Sequence, residues 1–95
     1  MENQTVSAAN SALVAEAYGQ FNRIIEAFIS RRIADRAEVE NLTQDVWMKA
    51  LTYTQPLCGE TLKAFLFTVA RNLVNDHLRH HYIAAGVHAE MQYND

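Results

Sequence analysis

Apolar residues recur along this chain at intervals of three and four, the period of a helix rather than of a strand. The clearest run is Leu62 to Tyr82, LKAFLFTVARNLVNDHLRHHY, which contains neither Gly nor Pro. At roughly 100° per residue, Leu62, Phe65, Leu66, Val69 and Leu73 form one stripe. Thr68, Arg71, Asn72, Asn75 and Arg79 gather nearly opposite. Solvated helix faces usually carry Glu and Lys paired at i,i+4. This face carries amides, a hydroxyl and two guanidiniums, with no acid between them. Such groups hydrogen-bond to phosphates and base edges, which is the chemistry of a nucleic-acid surface. A solvated face that happens to lack Glu has the same pattern and stands as the plain alternative.

Upstream, Val14, Tyr18, Phe21, Ile25, Phe28 and Ile29 keep the helical period from about Asn10 to Ile33, with Asn10 or Ser11 as the expected cap. Gly19 interrupts the pattern at a cost of about 1 kcal/mol relative to Ala, and marks either a close helix crossing or a weak point. Arg23, Arg31 and Arg32 are weighted to the second half, where cations suit a helix C-terminus. Asp35 followed by Glu38 has the spacing of a capping box, and predicts a second helix from Arg36 to about Tyr53. Val39, Leu42, Val46, Ala50 and Tyr53 are its expected buried stripe, widened by Trp47 and Leu51. Glu38, Asn41, Gln44, Asp45 and Met48 lie on the other side. TQPLCGE, Thr54 to Glu60, holds the only Pro and one of the three Gly, so it reads as a loop. The third helix is expected to run past Tyr82 until Gly86 weakens it. The expected organisation is a flexible N-terminus over 1–9, one helical domain over 10–90 and a flexible C-terminus over 91–95. The fold class is all-α: a small bundle of three helices, or four if the first breaks near Gly19.

A length of 95 residues allows one domain with a modest core. The scarcity of Gly and Pro, and the lack of any alternating run, argue against a sandwich or barrel. Cys58 is the single cysteine, which excludes an internal disulfide and a thiolate pair for zinc, and fits a reducing cytoplasm. No stretch approaches the roughly 18 apolar residues of a membrane span, and MENQTVSAAN lacks the basic and apolar parts of a signal peptide. A soluble, unprocessed, cytoplasmic chain is expected. Net charge is −3 and the pI about 5.7, unlike a simple nucleic-acid binder. Contact with DNA would rest on a local patch and on help from a partner.

Candidate chemistry is sparse. His77, His80 and His81 stand at i, i+3 and i+4, a spacing that can bring two imidazoles to one metal. Only Asp76 is near them in sequence and no HExxH motif is present, so surface or phosphate-facing histidines are the favoured reading and no metal site is assigned. No nucleophile elbow and no phosphate-binding glycine pattern occurs, so neither an enzyme nor a cofactor is expected. Trp47 reads as a core anchor before a base-stacking platform. Met48, in the middle of the acidic and amide strip, suits an adaptable contact. The chain thus offers one acidic, amide-rich face and one basic, amide-rich face, as an adaptor between a basic partner and DNA would.

AEVENLTQDVWMKAL resembles region 2.2 of sigma-70-type factors of the extracytoplasmic-function (ECF) group, whose usual form reads approximately AEDLVQEVFLRA. LKAFLFTVARNLVNDHLRHHY is similar to regions 2.3 and 2.4 of that group, approximately FRAWLFRIARNLAIDHLRRRR. The two stretches stand in the right order with a loop of suitable length between them, and the first helix fits region 2.1. Together they span about Ala17 to Tyr82. The resemblance implies a helical transcription initiation domain that binds the clamp helices of the beta-prime subunit of core RNA polymerase. It also implies opening and reading of the promoter −10 element on the non-template strand, and an anti-sigma factor as a possible partner. By position, Glu38, Asn41, Gln44, Asp45 and Met48 would face polymerase. Lys63, Thr68, Arg71, Asn72, Asn75, Arg79 and His80 would face DNA. Thr54 to Thr61 corresponds to the loop that captures a flipped base, which can be read on its Watson–Crick edge only once it leaves the stack.

Three departures stand beside the match. The group's basic run is here Arg79-His80-His81-Tyr82, with less charge except in acid solution. Phe65 stands where Trp is usual. The helix-turn-helix of region 4 has no counterpart, so the chain is either a piece of a longer protein or a stand-alone region 2. Two other readings remain: a helical interaction module that engages an anti-sigma factor or polymerase without DNA, and a metal-responsive regulator using the histidines.

Overall fold

An amphipathic helix holds its shape when another element covers its apolar stripe, and here three stripes cover one another. The computed structural model describes residues 2–84. It contains α1 (Glu2–Ser30), α2 (Arg36–Leu51) and α3 (Gly59–Ala84), and no strand among the described residues. The fold is the expected all-α bundle. Continuation of α3 beyond Ala84, and the tail over 91–95, lie outside the described residues.

The core is one cluster fed by all three helices. Ile25 and Ile29 of α1, Val46 and Ala50 of α2, and Leu66 and Ala70 of α3 are completely buried. On α3 the buried row is Leu62, Leu66, Ala70 and Val74, rotated from the expected stripe, while Phe65, Val69 and Leu73 are half-buried on its flank. The rotation has a simple cause. Two helices cover α3, so its apolar arc is wide and the centre falls on the small Ala70. One flank meets α1, where Phe67 packs edge-on against Phe28 with ring centroids 5.4 Å apart. The other flank meets the end of α2, where Tyr53 lies 4.8 Å from Phe65.

Several local expectations are revised. Asn10 is no cap, because α1 begins at Glu2 and Asn10 sits inside it with 1% exposure. Its carboxamide turns to the loop after α2 instead. Nδ2 donates to the carbonyls of Tyr53 (3.3 Å) and Gln55 (2.9 Å), and Oδ1 accepts the Leu57 N–H at 2.9 Å. Arg31 and Arg32 lie beyond the end of α1. Arg32 caps it from outside, donating to the Phe28 carbonyl at 2.9 Å with its guanidinium 3.9 Å above the Phe28 ring. Asp35 is the N-cap of α2 as expected, accepting the Ala37 N–H at 2.9 Å. That helix stops at Leu51, so Tyr53 leaves the stripe and, like Leu51, is exposed. Tyr18, in the expected apolar pattern of α1, is also half-exposed and touches the bundle by its ring edge on Trp47.

Gly19 lies within an unbroken helix, so there are three helices and not four. A Cβ built there meets nothing within 4 Å, which removes the close-crossing reading and leaves the weak point. Gly19→Ala is therefore expected to stabilise the domain by about 0.5–1 kcal/mol. Thermal unfolding followed by circular dichroism should show a midpoint a few degrees higher; an unchanged or lower midpoint would contradict the open environment.

Candidate nucleic-acid and protein interfaces

With the core centred between the helices, α2 and α3 each keep one outward strip. On α3, Thr68, Asn72 and Arg79 are exposed and Asn75 is half-buried, and helical register places the four together. The neighbouring flank opens into a groove of about 680 Å³ between α2 and α3, lined by Asn72, Asn75 and Arg79 together with Asp76 and by Lys49 of α2. Its floor is apolar, from Val69 and Leu73. Amide and guanidinium donors over an apolar floor can hold phosphate oxygens while a base rests below.

The other DNA-side candidates are not gathered there. Lys63 points toward α1, with Nζ 5.9 Å over the Phe21 ring. Arg71 is exposed, but register sets it beside Phe67 on the α1 side. His80 is exposed two turns beyond Leu73 on the same line of the helix, away from the Asn72–Arg79 strip. The face also has an acid after all: Asp76 Oδ1 lies 3.7 Å from Arg79 Nη2. On the wheel, Asp76 falls just beside the polar sector, which is why the sector looked free of acids. Lys49 is the groove residue that the sequence did not reveal. Its i,i+4 spacing from Asp45 reads as an ordinary surface pair, and only the packing of α3 turns it into a groove wall.

On α2, Asn41, Gln44, Asp45 and Met48 form one exposed strip, with Met48 58% exposed. Glu38 stands at its edge, half-buried, with Oε1 3.9 Å from His77 Nδ1. Gln44 and Met48 also rim a second groove, about 360 Å³, between α1 and α2. Tyr18, Trp47 and Leu51 give it an apolar lining, and Glu26 and Glu40 add acidic edges. Such a surface fits a helix carrying apolar and basic side chains.

Trp47 belongs to the core. It is 6% exposed, and its Nε1 donates to Asn22 Oδ1 at 2.9 Å. His77 and His81 line one groove with Asp35 and Glu38, with His77 Nδ1 nearest the Glu38 carboxylate, while His80 is exposed away from them. Among the described residues no three His, Cys, Asp or Glu side chains gather as a metal site would require. Nor, among them, is any helix long and apolar enough to cross a membrane. Cys58 is exposed in the loop before α3.

Comparison with known proteins places this chain in a family. The family model of sigma-70 region 2 matches residues 17–82. The ECF RNA polymerase sigma factor BldN of Streptomyces coelicolor is 35% identical over 66 residues, covering 65% of this chain and 24% of its own length. The ECF RNA polymerase sigma factor SigL of Mycobacterium tuberculosis is 30% identical over 76 residues, covering 77% of this chain and 42% of its own length. The chain therefore spans less than half the length of these curated relatives. No solved structure matches it.

The buried indole gives a direct check on the Trp47 assignment. Its emission is expected to be blue-shifted, and unchanged when a single-stranded oligonucleotide is added. Quenching on addition would show the ring stacking on bases instead.

Proposed function

This chain belongs to the sigma-70 region 2 family, in its ECF group, and we propose that it acts as a transcription initiation domain that joins core RNA polymerase to melted promoter DNA. The observation that carries this reading is that one core holds two distinct polar surfaces, an acidic and amide strip on α2 and an amide and guanidinium strip beside a groove on α3. The α2 strip of Asn41, Gln44, Asp45 and Met48, with Glu38 at its edge, would meet the beta-prime clamp helices. The Asn72–Arg79 strip and the groove beside it would take the non-template strand of the −10 element, and the loop after α2 would receive a flipped base. The domain would do this in the cytoplasm and without catalysing a reaction, its contribution being binding free energy for the opened strand.

Net charge −3 favours a second reading, in which the same domain engages polymerase or an anti-sigma factor without touching DNA. The Asp76–Arg79 pair does not by itself decide between them. Both side chains are about half exposed, and a pair of that kind is worth roughly 0–1 kcal/mol, so a phosphate can displace the acid. Affinity for single-stranded DNA separates the readings, because each phosphate contact steepens the salt dependence by about 0.7 in the logarithmic slope.

Two experiments test the assignment. Core RNA polymerase should be captured by the intact chain and lost, by about tenfold or more, on Gln44→Ala/Asp45→Ala, as expected for removal of two polar interface contacts. Capture by the double variant at full strength would remove α2 as the polymerase face. For the other face, Asn72→Ala should weaken binding to a single-stranded −10 oligonucleotide and Asp76→Asn should strengthen it, each by a few-fold, with polymerase capture unchanged. No response from either variant would leave the DNA-free reading standing.

A further inference from the structure

The loop between α2 and α3 owes its shape to a residue far away in sequence. Asn10 lies 43 residues before the first loop position it binds, and its side chain is 1% exposed. A carboxamide offers two N–H donors and a carbonyl acceptor, and Asn10 commits all three to loop main chain. It donates to the Tyr53 and Gln55 carbonyls and accepts the Leu57 N–H. No other side chain of this length does the same: Asp lacks the donors, Leu lacks both functions, and Gln is one methylene too long. The anchored positions alternate, 53, 55 and 57. Between and around them Thr54, Gln55 and Pro56 are exposed. The loop ends are fastened separately, Tyr53 by its ring on Phe65 and Leu57 by packing on the core.

A short loop with a fixed backbone and outward side chains is preorganised, and preorganisation converts contacts into selectivity because little ordering is left to do on binding. We propose that Asn10 is the positioning residue of this loop, setting how strongly residues 54–56 distinguish a nucleotide base from its absence. The proposal rests on the reading of the loop as a base-contacting element. Asn10 would act from inside the bundle, never touching the nucleic acid.

The test compares Asn10→Ala with Val14→Ala in the full chain. Val14 is one turn further along α1, is 2% exposed, and lies in the apolar core. Amide hydrogen exchange at Leu57 reads loop order. Affinity for homopolymers of about twelve nucleotides of each base, against an abasic strand of equal length, reads base selectivity. The intact chain should prefer the best base-bearing strand by about tenfold, the scale of one stacked or captured base. Both variants should unfold at lower temperature. Only Asn10→Ala should speed exchange at Leu57 above the global rate and bring the preference close to one, with the salt slope unchanged. If Asn10→Ala does not fold, Asn10→Asp, which keeps the acceptor and loses both donors, carries the same comparison. Retained preference in a folded Asn10 variant, or equal loss in Val14→Ala, would overturn the proposal and reduce Asn10 to a structural role. An intact chain with no preference would overturn the base-contact reading and the proposal with it, while Leu57 exchange would still report whether Asn10 holds the loop.

Discussion

Everything this domain can present depends on how α3 is wedged between its two neighbours. The buried row Leu62, Leu66, Ala70, Val74 is covered from α1 by Phe28 and from the end of α2 by Tyr53, through Phe67 and Phe65 respectively. Two covers consume more than half of the helix circumference. What remains outward includes the sector of Thr68, Asn72, Asn75 and Arg79, flanked by the exposed Arg71 on one side and Asp76 on the other. The same wedge makes the groove beside that sector, because Lys49 of α2 and Asn72 of α3 come to face a common floor only when Val69 and Leu73 pack toward α2. Packing, rather than any local motif, thus places a cation from one helix next to the amides of another.

Most of this was legible from periodicity alone. The three helices, the Asp35 cap and the exposed strip of α2 all follow from spacing, because each depends on residues within a turn or two of one another. The misses have two causes: partners distant in sequence for Asn10 and Tyr53, and a place at a sector border for Lys49 and Asp76. Asn10 has the residue type of a cap and sits where one would be expected, yet its bonds span more than forty residues. Tyr53 continues the α2 stripe on paper, but Thr52 closes that helix as its C-cap, its N–H and hydroxyl both donating to the Met48 carbonyl, and the ring goes to Phe65 instead. Lys49 and Asp76 lie at the borders of their helical sectors, where a few degrees of rotation decide which face they join. Residues at the centre of a sector tolerate such rotation, which is why Asn41, Gln44, Asp45 and Met48 share one exposed strip, as their spacing predicts.

The division of the DNA-side candidates also bears on how such a domain reaches nucleic acid. Lys63 and Arg71 lie on the α1 side, and Lys49 and Arg79 flank the groove. Positive charge is therefore spread around the rim and never concentrated, and Asp76 and Glu38 stand among it. A spread rim gives little long-range attraction on a chain of net charge −3. Short-range donors above an apolar floor, by contrast, act only once a strand is already close and unstacked. The balance of forces suits a surface to which the strand is delivered, as it would be if the proposed polymerase contact on the α2 face brought it within reach. On that view the net charge of −3 is no obstacle to the proposed role: it would disfavour indiscriminate binding to duplex DNA, and would leave selectivity to the few groups that a bare, single strand can meet.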